Sequence, residues 1–198
     1  MLSGPLLLFN PWFVSTEQSI HEVGATLGTD QAHVDSVTGP MLADLFRGGD
    51  FEQSLDGGAP ILDSSERSHM RDVGDVARSL LTIEVVAVLT LVLTWRRLRP
   101  DRRRRGSLLQ VAAGAVGLLA ISGGIFFAVA FDAAFAAFHS LFFAAGTWQF
   151  GPDSNLIRLF PEPFWFEASL LAGATIVIGA LVATLVGRSE LRSATVSA

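Results

Sequence analysis

The chain contains neither cysteine nor lysine. Without cysteine there is no disulfide scaffold, Cys-ligated zinc, iron–sulfur cluster or thiol nucleophile. Without lysine there is neither a Schiff base nor a Ser–Lys mechanism. Charge is scarce as well: 17% of the 198 residues are charged, with fourteen arginines against nineteen acids and a net charge of −5. That is the wrong sign for coating phosphate backbone, so nucleic acid is not expected as a partner. A glycine-rich phosphate loop, a GxSxG elbow and an HExxH pair are all missing. Apolar residues are what the chain has in abundance. Half of it is hydrophobic and the mean hydropathy is +0.46, which marks an integral membrane protein.

A span needs ~20 mostly apolar residues. Val76–Trp95, Leu108–Phe131 and Phe166–Gly187 reach or approach that length. The opening Leu2–Val14 is apolar but short, holds Pro5 and Pro11, and lacks the basic flank and cleavage site of a signal peptide. It reads as the far end of a first membrane helix whose beginning is truncated. The expected fold is therefore an all-α membrane protein, a four-helix transmembrane bundle with a small extracellular domain and an interfacial helix.

Charge orients the bundle, because short cytoplasmic loops accumulate arginine. The run RRLRPDRRRR holds seven arginines against Asp101, and the tail adds Arg188 and Arg192. Residues 15–72 instead carry eleven acids and three arginines, and residues 132–167 carry four acids and one arginine. Both termini, the 96–106 loop and the 188–198 tail are thus expected to be cytoplasmic. The extracellular parts are then 15–75 and 132–165, with spans at 1–14 (partial), 76–95, 107–131 and 166–187.

In the first extracellular segment Val34, Val37, Met41, Leu42 and Leu45 recur at helical spacing, which predicts a short helix. The pairs Gly48–Gly49 and Gly57–Gly58 predict loops on either side of a brief extended piece. Ala113, Gly117, Ala120, Gly124 and Ala128 give the third span a face of small residues on which helices pack closely in lipid. Phe131, Phe135, Phe138 and Phe142 step by four, three and four. Joined to the third span they would make one helix far too long for the bilayer, so the spacing predicts a break near Asp132 and a separate interfacial helix. Pro161 and Pro163 predict an extended entry to the last helix.

Two of the four histidines, His69 and His139, fall where an extracellular segment meets a span. Ser65 and Ser68, followed by Arg71, Asp72 and Asp75, suggest a helix start around His69. Asp72 sits three residues on, where its carboxylate can orient the imidazole. That pattern more often marks a cap or surface group, and the His139 stripe suits an aromatic anchor at least as well. Glu84 lies inside a span, where an acid is costly, and serves as a proton group, as the partner of a facing polar residue, or as an ordinary residue of a wet outer cavity. His21 and His33 lack a repeated ligand spacing, and no metal or other cofactor is expected.

FNPWFV, ERSHMRDV and the long run AFHSLFFAAGTWQFGPDSNLIRLFPEPFWFEAS together resemble a family of small bacterial integral membrane proteins, the lipoprotein intramolecular transacylases. The resemblance implies transfer of the sn-2 acyl chain of a diacylglyceryl-cysteine lipoprotein to the α-amine of the same cysteine, in the cytoplasmic membrane and at its extracellular face. It assigns His139 as general acid/base and His69 as a second group that polarises the ester carbonyl or shares proton transfer, the order being open. Asp72 would orient His69, and Phe138, Phe142, Phe143, Trp148, Phe164 and Trp165 would line the lipid-holding cavity. The partners are then the lipoprotein substrate and membrane lipid. Two other readings suit the same layout: a non-catalytic lipid- or lipoprotein-binding protein, and a proton-coupled transporter that uses Glu84.

Overall fold

The computed structural model describes residues 4–196, and side chains from Leu6 to Thr195. Nine helices and no strand occur among the described residues: α1 Gly4–Leu8, α2 Pro11–Ile20, α3 Val23–Leu27, α4 Gln31–Arg47, α5 Ser64–Arg97, α6 Arg102–Val129, α7 Phe131–Phe142, α8 Asn155–Leu159 and α9 Glu162–Val196. Three of them, α5, α6 and α9, are long and apolar enough to cross a membrane, with mean hydropathies of 2.1, 2.1 and 2.3 over their best windows. The chain divides into two compact units. One comprises Ile83–Ala130 and residues 169–196, the other residues 4–82 and Phe131–Ala168.

Several boundaries differ from expectation, each for a local reason. The opening apolar stretch is not one helix. Residues 1–3 lie outside the described residues, α1 ends at Leu8, and Asn10 restarts the chain by accepting a 2.9 Å hydrogen bond from Trp12 N–H just ahead of Pro11 at the first helical position. Phe13 and Val14 then bury themselves. The expected 96–106 loop shrinks to residues 98–101, because α5 runs to Arg97 and Asp101 caps α6 through Arg104 N–H at 2.9 Å. Arg105 and Gly106 are buried on α6. Pro161 and Pro163 do not make an extended lead: α9 starts at Glu162, with Pro163 in its first turn, where a missing N–H costs nothing.

In the unit of residues 4–82 and Phe131–Ala168, α2 and α3 pack on α4. All five of the residues expected on its apolar face are buried, none above 3% exposed. Gln18, wholly buried, donates to the Leu159 carbonyl at 2.9 Å and to Thr38 Oγ1 at 3.3 Å. Between α4 and α5, Asp44 accepts from Phe51 N–H and Gln53 Nε2, holding Phe51 at φ 57° in the buried turn. Arg78 of α5 donates to the Leu45 carbonyl at 2.5 Å, meeting an end carbonyl of α4. As expected, α6 stops before the phenylalanine stripe, with Ala130 as its cap, and α7 is a separate helix.

In the other unit the contact between α6 and α9 is closest where the small-residue face was not expected to matter. A Cβ on Gly106 would lie 2.8 Å from the Gly187 carbonyl oxygen, and one on Gly187 would lie 3.0 Å from the Gly106 oxygen. Gly117 faces Ala180 less tightly and Gly124 faces open space. Beside this crossing Arg105 pairs with Glu190 and stacks over Trp95 at 4.4 Å. Gly106→Ala is expected to cost about 1–3 kcal/mol through backbone overlap, read as a lower thermal midpoint in detergent. Gly123→Ala, with nothing within 4 Å, is expected to leave the midpoint unchanged or raise it.

Candidate functional site

The start of α5 is set by a reciprocal cap rather than by Ser65 and Ser68. Asp63 accepts from Ser65 N–H and Glu66 N–H, each at 2.8 Å, while Glu66 Oε2 accepts from Asp63 N–H at 2.7 Å. These bonds hold the Asp63 carboxyl below its ordinary range. The other oxygen of Glu66 reaches across the fold. Its Oε1 accepts from Ser154 Oγ and from Leu156 N–H at 3.1 Å, and Asn155 Nδ2 donates to the Ile61 carbonyl at 2.8 Å. Glu66 is 3% exposed, so one buried carboxylate fastens the head of α5 to the segment entering α8. Residues 143–153, with Trp148 and Phe150, run between α7 and this clamp.

His69 follows one turn after Glu66, 6% exposed. Its ring lies 6.1 Å, centroid to centroid, from that of His139, with 27° between the planes. Phe143 closes edge-on over His69 at 4.8 Å and Phe150 lies at 5.6 Å. Around His139 stand Phe135 at 4.0 Å, Trp148 at 4.8 Å, Phe143 at 5.4 Å and Phe138 at 5.6 Å. Two imidazoles from different helices thus share one aromatic enclosure.

Hydrogen bonding settles the form of one ring. His139 Nδ1 lies 2.9 Å from the Phe135 carbonyl oxygen, and a carbonyl only accepts, so Nδ1 carries the proton and Nε2 keeps its lone pair. Burial holds the His139 imidazole below its ordinary 6.5, against the smaller opposing pull of that carbonyl. It is therefore a neutral base at pH 7. His69 Nδ1 is buried without a hydrogen-bond partner.

The structure treats the expected site residues unequally. His69, His139, Phe138, Phe143 and Trp148 come together. Phe142 stacks on Phe138 at 4.9 Å and is 41% exposed. Trp165 lies 6.4 Å from Phe135, one ring removed from His139, and donates its indole N–H to the Phe160 carbonyl. Phe164, 2% exposed, packs against Phe13, Phe160 and Trp165 and belongs to the core. Asp72 is exposed and forms no hydrogen bond with His69, so the orienting role expected for it is not realised. Glu84 lies in the other unit, its Oε1 buried without a hydrogen-bond partner.

Three contributors escaped the sequence reading: Phe135, whose carbonyl fixes a tautomer; Phe150, hidden in a polar loop; and Glu66. The last had a visible signal, since Asp63-Ser-Ser-Glu66 has the spacing of a capping box. Glu66→Ala leaves the Leu156 and Asp63 N–H groups without an acceptor, an expected loss of at least about 2 kcal/mol. Ser154→Ala, which keeps the Leu156 bond, is expected to cost about 1 kcal/mol. Thermal unfolding of the purified variants measures both.

A search of curated proteins finds no match. Among solved structures, the chain is similar to the membrane-integral lipoprotein intramolecular transacylase Lit from Bacillus cereus, with a TM-score of 0.86 and 16% identity over 98% of this chain and 89% of that one. Two histidine variants of that protein match as well, each with a TM-score of 0.79 and 16% identity, over 100% and 98% of this chain and 87% of theirs. The likeness establishes a shared helical membrane fold. A family model for the lipoprotein intramolecular transacylase Lit matches residues 3–165, which is most of the length and includes both histidines, and the chain belongs to that family.

Proposed function

We propose that His69 and His139 catalyse movement of the sn-2 acyl chain of a diacylglyceryl-cysteine lipoprotein to the α-amine of the same cysteine. The observation that carries this reading is the pair itself: two imidazoles 6.1 Å apart in an aromatic enclosure, one of them held as a neutral base. Family membership supplies the reaction, and the absence of cysteine and lysine agrees with a route that needs no such nucleophile.

Amine and ester belong to one molecule, so the protein has to fold the head group into contact and keep water away. The α-amine, with a pKa near ~8, first gives its ammonium proton to water to become nucleophilic. As its nitrogen bonds to the ester carbonyl carbon, His139 Nε2 takes the second amine proton. The His69 N–H donates to the carbonyl oxygen as charge builds there. The C–O bond to glycerol then breaks, and the imidazolium of His139 returns the proton to the departing oxygen. The product is an N-acyl lyso-lipoprotein of unchanged mass. Phe138, Phe142, Phe143 and Trp148 hold the acyl chains and glycerol in this scheme. Glu84 takes no part.

The arginine asymmetry supports a placement in which residues 15–75 and the α7–α8 region face outward, with α5, α6 and α9 crossing the cytoplasmic membrane. Cysteines placed singly at Gly58 and Arg103, both exposed, test this orientation. An impermeant thiol reagent is expected to label the first in intact cells and the second only after permeabilisation, and the opposite pattern overturns the placement.

Catalysis is tested by the fraction of a client lipoprotein that carries an N-acyl group, read by tandem mass spectrometry of its N-terminal peptide at equal membrane levels of each variant. His139→Ala is expected to lose about 10²–10⁴-fold and His69→Ala a comparable amount, whereas Asp72→Asn and Glu84→Gln stay near wild type. Full activity of the His69→Ala, His139→Ala double variant favours the non-catalytic lipid-binding reading. Selective failure of Glu84→Gln favours the transporter.

A further inference from the structure

A second cluster of chemically capable side chains lies at the end of α2. Glu17 lies on α2, His21 caps the end of that helix four residues on, and Glu167, in the second turn of α9, faces them. His21 Nε2 lies 3.7 Å from Glu17 Oε2 and 3.4 Å from Glu167 Oε2, and one ligand atom from each residue falls within 4.8 Å of the others. Donors bound at 2.0–2.2 Å to a tetrahedral ion stand about 3.3–3.6 Å apart, so two of the three separations already approach coordination distances.

Internal pairing accounts for only part of the arrangement, because His21 Nε2 is within hydrogen-bond distance of Glu167 Oε2 at 3.4 Å and leaves Glu17 Oε2 unmet. Glu17 is 9% exposed, and its Oε2, turned toward the cluster, is buried without a hydrogen-bond donor. A buried acceptor left unmet is costly, and two carboxylates facing one imidazole carry more negative charge than that ring neutralises.

We infer that Glu17, His21 and Glu167 bind one divalent transition-metal ion, with Zn²⁺ the best fit to one imidazole nitrogen and two carboxylate oxygens. Imidazole selects against Mg²⁺ and Ca²⁺, while the absence of sulfur and the presence of two oxygens select against Cu⁺. Three protein ligands leave a fourth position for water. Because the ligands come from α2 and α9, the ion ties the N-terminal helices to the head of α9. The site is separate from the histidine pair and does not depend on the proposed reaction.

The experiment uses the full chain in detergent, with any affinity tag removed, titrated calorimetrically with ZnCl₂. One equivalent per chain is expected, accompanied by a rise in thermal midpoint, since an ion that binds only the folded state stabilises it. Binding is expected to weaken more than about tenfold in His21→Ala and in Glu167→Gln, the loss of a direct ligand exceeding the usual cost of an outer-sphere change. The His69→Ala, His139→Ala variant is expected to bind as the wild type does. Glu167→Gln decides the matter if His21→Ala fails to fold, because Glu167 is 45% exposed at its side chain and the change is isosteric. No saturable binding, binding indifferent to both substitutions, or binding abolished by loss of the His69–His139 pair overturns the inference.

Discussion

Two imidazoles held within one wall of aromatic rings, with no carboxylate hydrogen-bonded to either among the described residues, set the chemistry available to this fold. A carboxylate beside a histidine favours its charged form; an apolar enclosure favours the neutral one. In the proposed reaction the pair therefore starts as base and N–H donor rather than as a cation. That suits the proposed reaction, in which the histidine borrows a proton from the attacking amine and returns it to the departing alkoxide. The Phe135 carbonyl completes the arrangement by holding Nδ1 of His139, which leaves Nε2 for the role proposed for it. Backbone rather than side chain thus performs the orienting task that a carboxylate performs in many histidine-dependent enzymes.

The rest of the compact unit can be understood as support for that contact. His69 rides on a helix whose first turn is locked by Asp63 and Glu66, and the same Glu66 carboxylate secures the segment that follows Trp148 and Phe150. One charged group thereby couples the position of the histidine to that of the rings around it. Its burial is tolerable because both oxygens are met, and for the same reason its removal is disruptive. In the other unit, Gly106 and Gly187 let α6 and α9 touch backbone to backbone, and Arg105 with Glu190 seals the crossing.

Much of this was legible before the fold was seen. The apolar face of α4 follows from a repeat of three and four, and the break before Phe131 follows from bilayer thickness, since no single span accommodates both α6 and the phenylalanine stripe. The shared role of His69 and His139 came from the family resemblance, because the spacing around each suits a cap or an aromatic anchor as well. Features that depend on partners distant in sequence were not legible. Nothing in the neighbourhood of Glu66 reports Ser154 or Leu156, and nothing near Gly106 reports Gly187. Asp72 shows the converse: its spacing from His69 is compatible with contact, but its side chain faces solvent. The opening stretch misled because composition registers apolar residues without registering that Asn10 and Pro11 restart the helix and turn Phe13 and Val14 into a core.

The central claim is that the acyl chain moves within one molecule, with the histidines passing a proton and no acyl-enzyme forming. A crossover experiment with the purified protein tests it directly. Equal amounts of an unlabelled diacylglyceryl-cysteine peptide and one isotopically labelled in both its sn-2 chain and its cysteine are incubated together, and the products are sequenced by tandem mass spectrometry. The account predicts N-acyl products in which labelled cysteine carries only labelled acyl and unlabelled cysteine only unlabelled acyl. Products that mix the two labels would contradict it, because they require the acyl group to leave its parent molecule.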